Sequence, residues 1–334
     1  MGMAGHYAVP AKQSTGQGKL RRVGFELEFA GLDFKGTVNV LSDVFNVRAD
    51  SHTSAEASLQ HPEWGKFVIE VDSELAKRLA KSRSEGREEN KTDDDPLAEW
   101  LVNLTTEVVP IEVVCPPVDI DRLSSLDAMV SGLREAGAEG TAEKLVYAFG
   151  VHINTELPSL EPATIARYLR AYVIAQDWLV LRHQVNMTRR VTPYIDLYPR
   201  SYCLKVLAYD DEVSLETILD DYLEHNATRN RALDMLPLFK HLAEDRVVEV
   251  VDDARVKARP TFHYRLPNCE IERGDWGLWQ SWRTWCVLEV LADSSDLLDE
   301  LSGQYNKFDA SLINFARAPW HKQLDSILHD LVSA

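Results

Sequence analysis

A pair of glutamates in an alternating segment is the first feature of this sequence that could do chemistry. In GFELEF, Glu26 and Glu28 alternate with Phe25, Leu27 and Phe29. On a β-strand this alternation places both carboxylates on one face, about 6.6 Å apart, and the hydrophobic side chains on the other. Such carboxylates repel each other unless water or a cation separates them, and Mg²⁺ prefers oxygen ligands. A solvent-facing strand has the same pattern, so the motif predicts either an exposed strand or a metal site.

Glu112 lies in a different setting, because Ile111, Val113 and Val114 surround it and two prolines follow. The segment IEVVCPP therefore predicts an apolar strand that ends at the prolines. A buried carboxylate without a partner would cost several kcal/mol, so Glu112 needs a cation, an arginine or a metal nearby. A structural ion pair and a metal site are both open for this residue.

A third strand-like segment carries an imidazole. In GVHIN, His152 and Asn154 point to the face opposite Val151 and Ile153. A single histidine on a strand is more often structural than functional. His152 therefore gains significance only if it meets the acidic residues of other strands.

The segment 260–266 repeats this arrangement near the end of the chain. Thr261, His263 and Arg265 alternate there with hydrophobic residues, and Arg259 lies just upstream. Four such segments predict a sheet with one hydrophobic face and one face of mixed charge. Its acids could hold Mg²⁺, and its arginines could bind the polyphosphate that Mg²⁺ accompanies. The sequence has neither a P-loop nor a G-x-G-x-x-G motif, so this would be a nucleotide site without a glycine-rich loop.

These side chains can meet only if separated segments form one sheet. Alternation predicts strands, and helical periodicity predicts the segments that must pack on them. Residues 188–209 are expected to be irregular, and the charge run 84–95 is expected to be a solvated loop. The predicted strands are 21–31, 66–71, 107–114, 145–154 and 260–266. The predicted helices are 119–136, a long helix from residue 161, 214–225, 231–243 and two at the C-terminal end.

The composition limits the class of protein. The 334 residues are 45% hydrophobic and 27% charged, as in a soluble globular protein, and the formal net charge is −17. An excess of acid repels phosphate backbones and anionic membrane surfaces, so we expect no nucleic-acid partner and no membrane. No signal peptide or long apolar run is visible, and the four scattered cysteines predict reduced, structural thiols. We therefore expect a cytoplasmic protein.

Two groups of residues are open to more than one interpretation. Four arginines could form a basic patch for phosphate or an acidic substrate, or could be ordinary surface residues. Four tryptophans spaced by three predict a helix face in the core, with an aromatic substrate wall as the alternative. They are Arg182, Arg189, Arg190 and Arg200, and Trp276, Trp279, Trp282 and Trp285.

Five segments together resemble the amidoligase family, a branch of the glutamine synthetase-like carboxylate–amine ligase superfamily. The resemblance covers about residues 23–292 and implies an α+β fold. We expect a glutamine synthetase-like curved antiparallel sheet, with helices packed on one face and helical insertions. The expected division is a flexible leader (1–20) and a single catalytic domain (21–334), with insertions at about 160–245 and a C-terminal helical segment at about 273–334. The segments are GFELEF, FVIEVDSEL, IEVVCPP, GVHIN and RPTFHYRLPN.

The resemblance also implies a reaction, the joining of a carboxylate to an amine through an acyl-phosphate. ATP and Mg²⁺, or Mn²⁺, are the implied cofactors. Glu26 and Glu28 match the family's first metal-binding motif, and Glu112 matches its second acidic strand. His152 matches a histidine near metal and nucleotide, and Asn154 beside it is expected to contact the nucleotide.

The last matching segment implies the remaining site residues. Arg265 matches the arginine of a glutamate–aromatic–arginine motif, Arg259 is a second phosphate-binding arginine, and both would be catalytic. His263 replaces the metal-binding carboxylate of that motif. Because imidazole is a softer and neutral ligand, the identity and number of metal ions stay open. Glu70 or Asp72 could accept the proton of the attacking amine.

Two other functions fit the same residues. An ATP-dependent phosphotransferase would use the same metal geometry, and a non-catalytic binding protein with a decayed site would explain His263. For the ligase, the expected partners are a carboxylate and an amine, each a small molecule, a peptide or a protein end. Formation of an oligomer is possible.

Overall fold

An antiparallel sheet of nine strands runs through the chain. The computed structural model describes residues 6–71, 110–141, 149–185, 195–310 and 320–333. The strand order is β2-β3-β4-β5-β1-β7-β9-β8, and β6 pairs with the start of β1. The strands are β1 (Arg22–Phe29), β2 (Ala49–Ser51), β3 (Glu56–His61), β4 (Gly65–Val71), β5 (Ile111–Val114), β6 (Val118–Asp119), β7 (Val151–Thr155), β8 (Leu233–Asp234) and β9 (His263–Tyr264).

Ten α-helices of the described ranges accompany the sheet, with one 3-10 turn at Leu123–Leu126. The helices are α1 (Phe34–Phe45), α2 (Asp127–Glu135), α3 (Pro162–Arg182), α4 (Arg200–Leu207), α5 (Leu215–Asn226), α6 (Leu236–Leu242), α7 (Glu244–Val250), α8 (Leu278–Asp293), α9 (Ser295–Ala310) and α10 (Trp320–Ser333). The molecule is therefore an α+β protein with an open antiparallel sheet, as the sequence predicts at this level.

Strand β1 lies at the centre of the sheet. Its odd-numbered residues Val23, Phe25, Leu27 and Phe29 are completely buried in the core. Alternation puts the other residues of β1 on the opposite face, and the antiparallel partners β5 and β7 continue the same division. The sheet thus has one hydrophobic face and one polar face, as the sequence predicts.

Aromatic side chains join the hydrophobic face to the helices. The ring of Tyr168 on α3 lies 4.8 Å from that of Phe262. Trp285 on α8 lies 5.4 Å from Phe262 and 5.3 Å from Tyr264. Rings at these separations pack favourably in edge-to-face or offset geometry. Helix α3 is buried along most of its length, because α8, α9 and α10 pack against it.

A buried ion pair fastens the start of β1 to α8. The guanidinium of Arg21 donates to both carboxylate oxygens of Glu289, at 2.9 Å and 2.7 Å, and neither side chain is more than 3% exposed. Glu289 also accepts from Trp285 at 2.8 Å and from the hydroxyl of Tyr168. A desolvated pair is tolerated only when its remaining polar atoms are bonded, and this carboxylate meets that condition.

Several predicted elements are confirmed, and others need correction. Strands β1 and β4 and helices α3 and α5 lie where the sequence predicts them. The expected irregular segment 188–209 contains α4, and the expected helix 231–243 is instead strand β8 followed by α6. The expected helix 119–136 is β6, a 3-10 turn and α2, and three helices rather than two end the described chain.

The remaining differences concern short or polar elements. Strands β2 and β3 and helices α1 and α7 were not predicted. The charge run 84–95 lies outside the described residues.

Residues 6–20 of the expected leader form contacts with the rest of the protein. The hydroxyl of Tyr7 donates a hydrogen bond of 2.7 Å to Asp127, and the carbonyl of Ala8 accepts one of 2.7 Å from Trp282. In the ranges that the structure describes, no helix has the length and apolar character needed to cross a bilayer.

Candidate active site

The polar face of the sheet brings together side chains from neighbouring strands. Glu28 on β1 lies directly opposite Glu112 on β5. On the other side of β1, Glu26 lies directly opposite His152 on β7. Residues in direct register point to the same face, so carboxylates and an imidazole adjoin across three strands.

Glu26 is the centre of a hydrogen-bonded group that spans β1, β7 and β9. Its Oε2 lies 2.9 Å from Nδ1 of His152, and its Oε1 accepts a hydrogen bond of 2.9 Å from Nδ2 of Asn154. Oδ1 of Asn154 lies 2.6 Å from Nδ1 of His263. Nη1 of Arg259 lies 3.6 Å from Oε1 of Glu26. Four predicted site residues therefore lie around Glu26.

These contacts assign the tautomers of the two imidazoles. Nδ1 faces an oxygen acceptor in both His152 and His263, so a neutral ring carries its proton there and its lone pair on Nε2. In His152 this Nε2 lies 3.6 Å from Oε1 of Glu28. A lone pair facing a carboxylate is unfavourable unless a proton or a cation lies between them. Metal-binding histidines commonly donate their other ring nitrogen to a carboxylate, as His152 does to Glu26.

Two groups of side chains have the spacing of a metal site. One consists of Glu26, His152 and His263, and the other consists of Glu28, Glu112 and His152. Within each group the candidate ligand atoms lie within 4.8 Å of one another. Carboxylate oxygens with imidazole nitrogen suit Mg²⁺ or Mn²⁺, and the single lone pair on Nε2 lets the shared His152 ligate an ion in only one of the two groups. The donor chemistry thus fits the metal that the sequence predicts.

Acidic residues continue beyond Glu112 as a row across the sheet. Glu112 is the direct partner of Glu70 on β4, and Glu70 is the direct partner of Glu56 on β3. Like charges at directly opposite positions destabilise a sheet, and a cation among them would offset that cost. Glu28 is held in this row by the backbone N–H of Gly150, which donates to its Oε2 at 2.8 Å. We call these four glutamates the acidic row.

Burial and neighbouring charges shift two pKa values at the centre. Burial raises the pKa of Glu26, but His263, His152 and Arg259 outweigh it and hold this pKa well below its usual value. Burial, together with Arg265, lowers the pKa of His263 well below its usual value, although Glu26 opposes this. Glu26 is therefore ionised and His263 neutral near neutral pH. Both are then in the protonation state that binds a metal ion.

The opposite side of the polar face contains an ion pair between β8 and the end of β9. Nη2 of Arg265 lies 3.5 Å from Oδ2 of Asp234 on β8. Asp234 is almost completely buried, and burial raises its pKa despite the nearby Arg265. Arg229 and Arg255 lie close enough to influence each other electrostatically, and Arg265 also acts on Arg229. The polar face thus carries a row of acids at β3–β5 and a buried ion pair at β8–β9.

The structure brings most of the predicted site residues together. Glu26, Glu28, Glu112, His152, Asn154 and His263 share one face, and Arg259 contacts Glu26. Arg265 lies at the β8–β9 side, where it forms an ion pair with Asp234. Glu70 adjoins Glu112, whereas Asp72 lies outside the described residues.

Sequence reasoning missed Arg229, Arg255 and Asp234. Arg229 and Arg255 lie between regular elements, where no periodicity marks a residue. Asp234 lies on a two-residue strand, which is too short to show alternation. The only available signal was the local excess of arginine near residue 230.

The other predicted groups lie elsewhere. Trp282 and Trp285 are buried on α8, which confirms their packing role, and Trp279 lies under the guanidinium of Arg283 at 5.0 Å. Arg200 forms an ion pair with Asp309 on α9. Arg189 and Arg190 lie outside the described residues, and Arg182 lines a separate cavity with Trp276. The predicted four-arginine patch stays a prediction.

An antiparallel sheet with carboxylates, imidazoles and arginines on one face is an arrangement suited to a metal-dependent enzyme. Comparison with family models agrees with this class, because residues 19–287 match the model described as putative amidoligase enzyme. The chain belongs to the amidoligase family. No match was found among curated proteins or among solved structures.

Proposed function

We propose that this protein is an ATP- and Mg²⁺-dependent ligase that joins a carboxylate to an amine through an acyl-phosphate. The observation that carries the proposal is the pair of ligand groups around His152, with Glu26 on one side and Glu28 and Glu112 on the other. Membership of the amidoligase family supports the reaction class. The antiparallel sheet agrees with a glutamine synthetase-like architecture, which is part of the same proposal.

The metal ions would be held by the two ligand groups. Glu28, Glu112 and Nε2 of His152 would bind one ion, and Glu26 and His263 would bind the other, with His152 oriented by its hydrogen bond to Glu26. Mg²⁺ or Mn²⁺ at these positions would supply positive charge that neutralises the triphosphate and its developing charge. Asn154 holds Glu26 and His263 in place through its two hydrogen bonds.

The arginines would assist the first step. An oxygen of the substrate carboxylate attacks the γ-phosphorus, and the bond to ADP breaks. Two anions approach each other in this step, so Arg259 and Arg265 would offset the repulsion and stabilise the charge on the transferred group. Arg259 already lies 3.6 Å from Glu26, beside the proposed metal ligands.

The second step needs a neutral amine and a proton acceptor. The amine nitrogen attacks the acyl carbon, and phosphate leaves with its bonding electrons. Glu70 is the candidate acceptor, because it is half-buried and directly opposite Glu112. Glu56, the next member of the acidic row, is exposed and would attract an ammonium ion towards this side.

Mass spectrometry of the purified protein with ATP, Mg²⁺ and pooled acids and amines tests the proposal. We expect a product whose mass equals acid plus amine minus water, with phosphate released in equal amount. Stable incorporation of label from [γ-³²P]ATP would instead show phosphoryl transfer, and failure to bind Mg²⁺-nucleotide in calorimetry would show a decayed site.

Variants connect the reaction to the ligand groups. Glu28→Gln and Glu112→Gln should each lower turnover at least about 100-fold, because an amide is a much poorer ligand for Mg²⁺. Glu135→Gln is the matched control, since Glu135 is exposed at the end of α2. Near-normal turnover in both site variants would contradict the proposed metal site.

A further inference from the structure

Two cavities meet at the C-terminal end of α3. One, of about 350 Å³, lies between α3 and the start of α10, and the other, of about 340 Å³, lies between α3 and the start of α8. Both volumes lie in the range of about 300–1,000 Å³ that is typical of ligand pockets. Arg182 and Gln184 line both cavities and join them. We call the two cavities, joined at these residues, the α3 groove.

The α3 groove and the candidate active site lie on opposite faces of β9. Nε2 of His183, which lines the groove, lies 2.8 Å from the hydroxyl of Tyr264 on the hydrophobic face. His263, the neighbouring residue of the same strand, points to the polar face, where it contacts Asn154. A ligand in the α3 groove would therefore be separated from the proposed metal ligands by the sheet.

The lining of the α3 groove has an excess of positive charge. Four Arg or Lys side chains and two carboxylates line it, in a protein whose formal net charge is −17. Among the described residues, neither Arg182 nor Lys322 has an ion-pair partner, and Arg283 lies 5.0 Å from the centre of the Trp279 ring rather than beside an acid. This local charge is opposite to that of the whole molecule, so it attracts an anion.

Gln184, where the cavities meet, has a backbone conformation that favours glycine. Its φ is 48°, and it directly follows His183, the C-cap of α3. The N–H of Val185 donates to the carbonyl of Val180 at 3.0 Å, which is the closing bond of a helix end that usually has glycine at this position. The side-chain amide of Asn268 fixes the turn by donating to the carbonyls of residues 183 and 184, both at 3.1 Å. A glutamine is therefore unfavourable for the backbone here, and its exposed side chain is available to a ligand.

The side chains of the α3 groove match an acidic peptide. The carboxamide of Gln184 has both donors and an acceptor, as a peptide group does, whereas a phosphate oxygen would use only its donors. The guanidinium of Arg182 can bind a carboxylate through two parallel hydrogen bonds. Lys322 lines one cavity and Arg283 the other, with Arg182 between them, so cations follow the length of the groove.

We propose that the α3 groove is a docking site for an acidic peptide segment of another protein. Gln184 bonds the peptide backbone, and Arg182 binds one of the acidic side chains. The site uses none of the proposed metal ligands, so this inference does not depend on the ligase function.

Titration calorimetry of the full chain with a tetraglutamate peptide, blocked at both ends, tests the proposal, and blocked tetraglutamine is the neutral control. Tetraglutamate should bind at least about 10-fold more tightly than tetraglutamine, and its affinity should fall as salt is added. Arg182→Gln should weaken the binding of tetraglutamate about 10-fold or more, as expected for lost charge-assisted hydrogen bonds. Arg48→Gln, which removes an exposed charge outside the groove, should leave it unchanged.

Gln184→Gly separates binding from folding, because the two should not change in the same direction. The variant should unfold at the same temperature as the native protein or a higher one, since glycine suits a positive φ. Its affinity for tetraglutamate should nevertheless fall about 3-fold or more, since the carboxamide is lost. Gln184→Ala controls for the added backbone freedom of glycine and should lose at least as much affinity.

The outcomes separate the possible ligands. Equal binding of the two peptides overturns the proposal, and so does an unchanged affinity for tetraglutamate in Arg182→Gln or in Gln184→Ala. If inorganic triphosphate binds in an Arg182-dependent way and tetraglutamate does not, the groove binds a phosphorylated ligand and the proposal is wrong. These titrations contain no ATP and follow no turnover, so a failure to form an amide product would leave their result unaffected.

Discussion

Glu28 and Glu112 are direct cross-strand partners on β1 and β5, so two carboxylates face the same side of the sheet in register. Glu70 extends this arrangement as the direct partner of Glu112 on β4. Repulsion among these three carboxylates opposes folding, and they nevertheless lie next to one another in the sheet. We interpret the acidic row as a feature kept for binding a cation.

The acidic row predicts that the effect of Glu112→Gln on stability depends on Mg²⁺. In EDTA, Glu112→Gln relieves the repulsion from Glu28 and Glu70, which offsets part of what the other contacts of Glu112 contribute to stability. In Mg²⁺ at about 100 times its dissociation constant, the native protein should gain about 2.7 kcal/mol, and the variant should gain little. Urea unfolding with and without Mg²⁺ measures both effects. A variant that is much less stable in EDTA would show that Glu112 has a structural role.

Arg265 should depend on the shape of its guanidinium as well as on its charge. Arg265→Lys keeps the charge but loses the planar pair of donors, so turnover should fall about 10-fold or more. Steady-state release of ADP provides the measurement, and the exposed Arg48→Lys is the control. Asp234 is buried beside Arg265, so the substitution could also lower stability. Thermal unfolding of the variant is therefore measured together with its turnover. Unchanged turnover would show that Arg265 has a structural role only.

His263 should make the protein sensitive to acid. Its pKa is well below 6.5 in the folded protein, mainly because of burial, and close to 6.5 in the unfolded chain. As pH falls through 6.5, the unfolded chain takes up a proton that the folded protein does not, so stability is lost. Between pH 7.5 and 5.5 this loss should be about 1.4 kcal/mol.

His263→Asn removes this contribution and should flatten the pH dependence by that amount. Urea unfolding in EDTA at the two pH values measures the difference, which is insensitive to a constant loss of stability in the variant. His241→Asn, at an exposed histidine of α6, is the control. Parallel pH profiles for the native protein and His263→Asn would contradict the depressed pKa.

The buried pair of Arg21 and Glu289 should be sensitive to removal of one partner. Glu289→Gln leaves the guanidinium of Arg21 buried without a counterion, so stability should fall by about 3–5 kcal/mol. Urea unfolding measures the loss. Glu249→Gln, which changes an exposed residue of α7 in the same way, should have little effect. A loss below about 1 kcal/mol would show that water or another acid replaces the carboxylate.

The sequence predicts the centre of the site because backbone geometry decides it. Alternation alone places Glu26 and Glu28 on the polar face of β1, and the same rule applies to His152 and His263. The pairing of Glu28 with Glu112 depends on strand order and register, which alternation within one strand does not specify. The family resemblance predicted that these segments form one site, and the register between their strands is known from the structure.

Other parts of the molecule carry too little local signal. Strand β8 has two residues, and its place in the sheet is set by its contacts with β9. Helix α4 begins after a proline in a segment rich in tyrosine, where buried side chains outweigh weak helical propensity.

The central place of β1 has a consequence for how the chain acquires its structure. This strand precedes the other described strands along the chain, yet its direct neighbour β5 begins only at residue 111 and its other neighbour β7 only at residue 151. Pairings between distant parts of a chain form slowly, and until then Phe25, Leu27 and Phe29 stay open to wrong associations. Chaperones that capture hydrophobic nascent segments should therefore bind β1 before β5 and β7 have been synthesised.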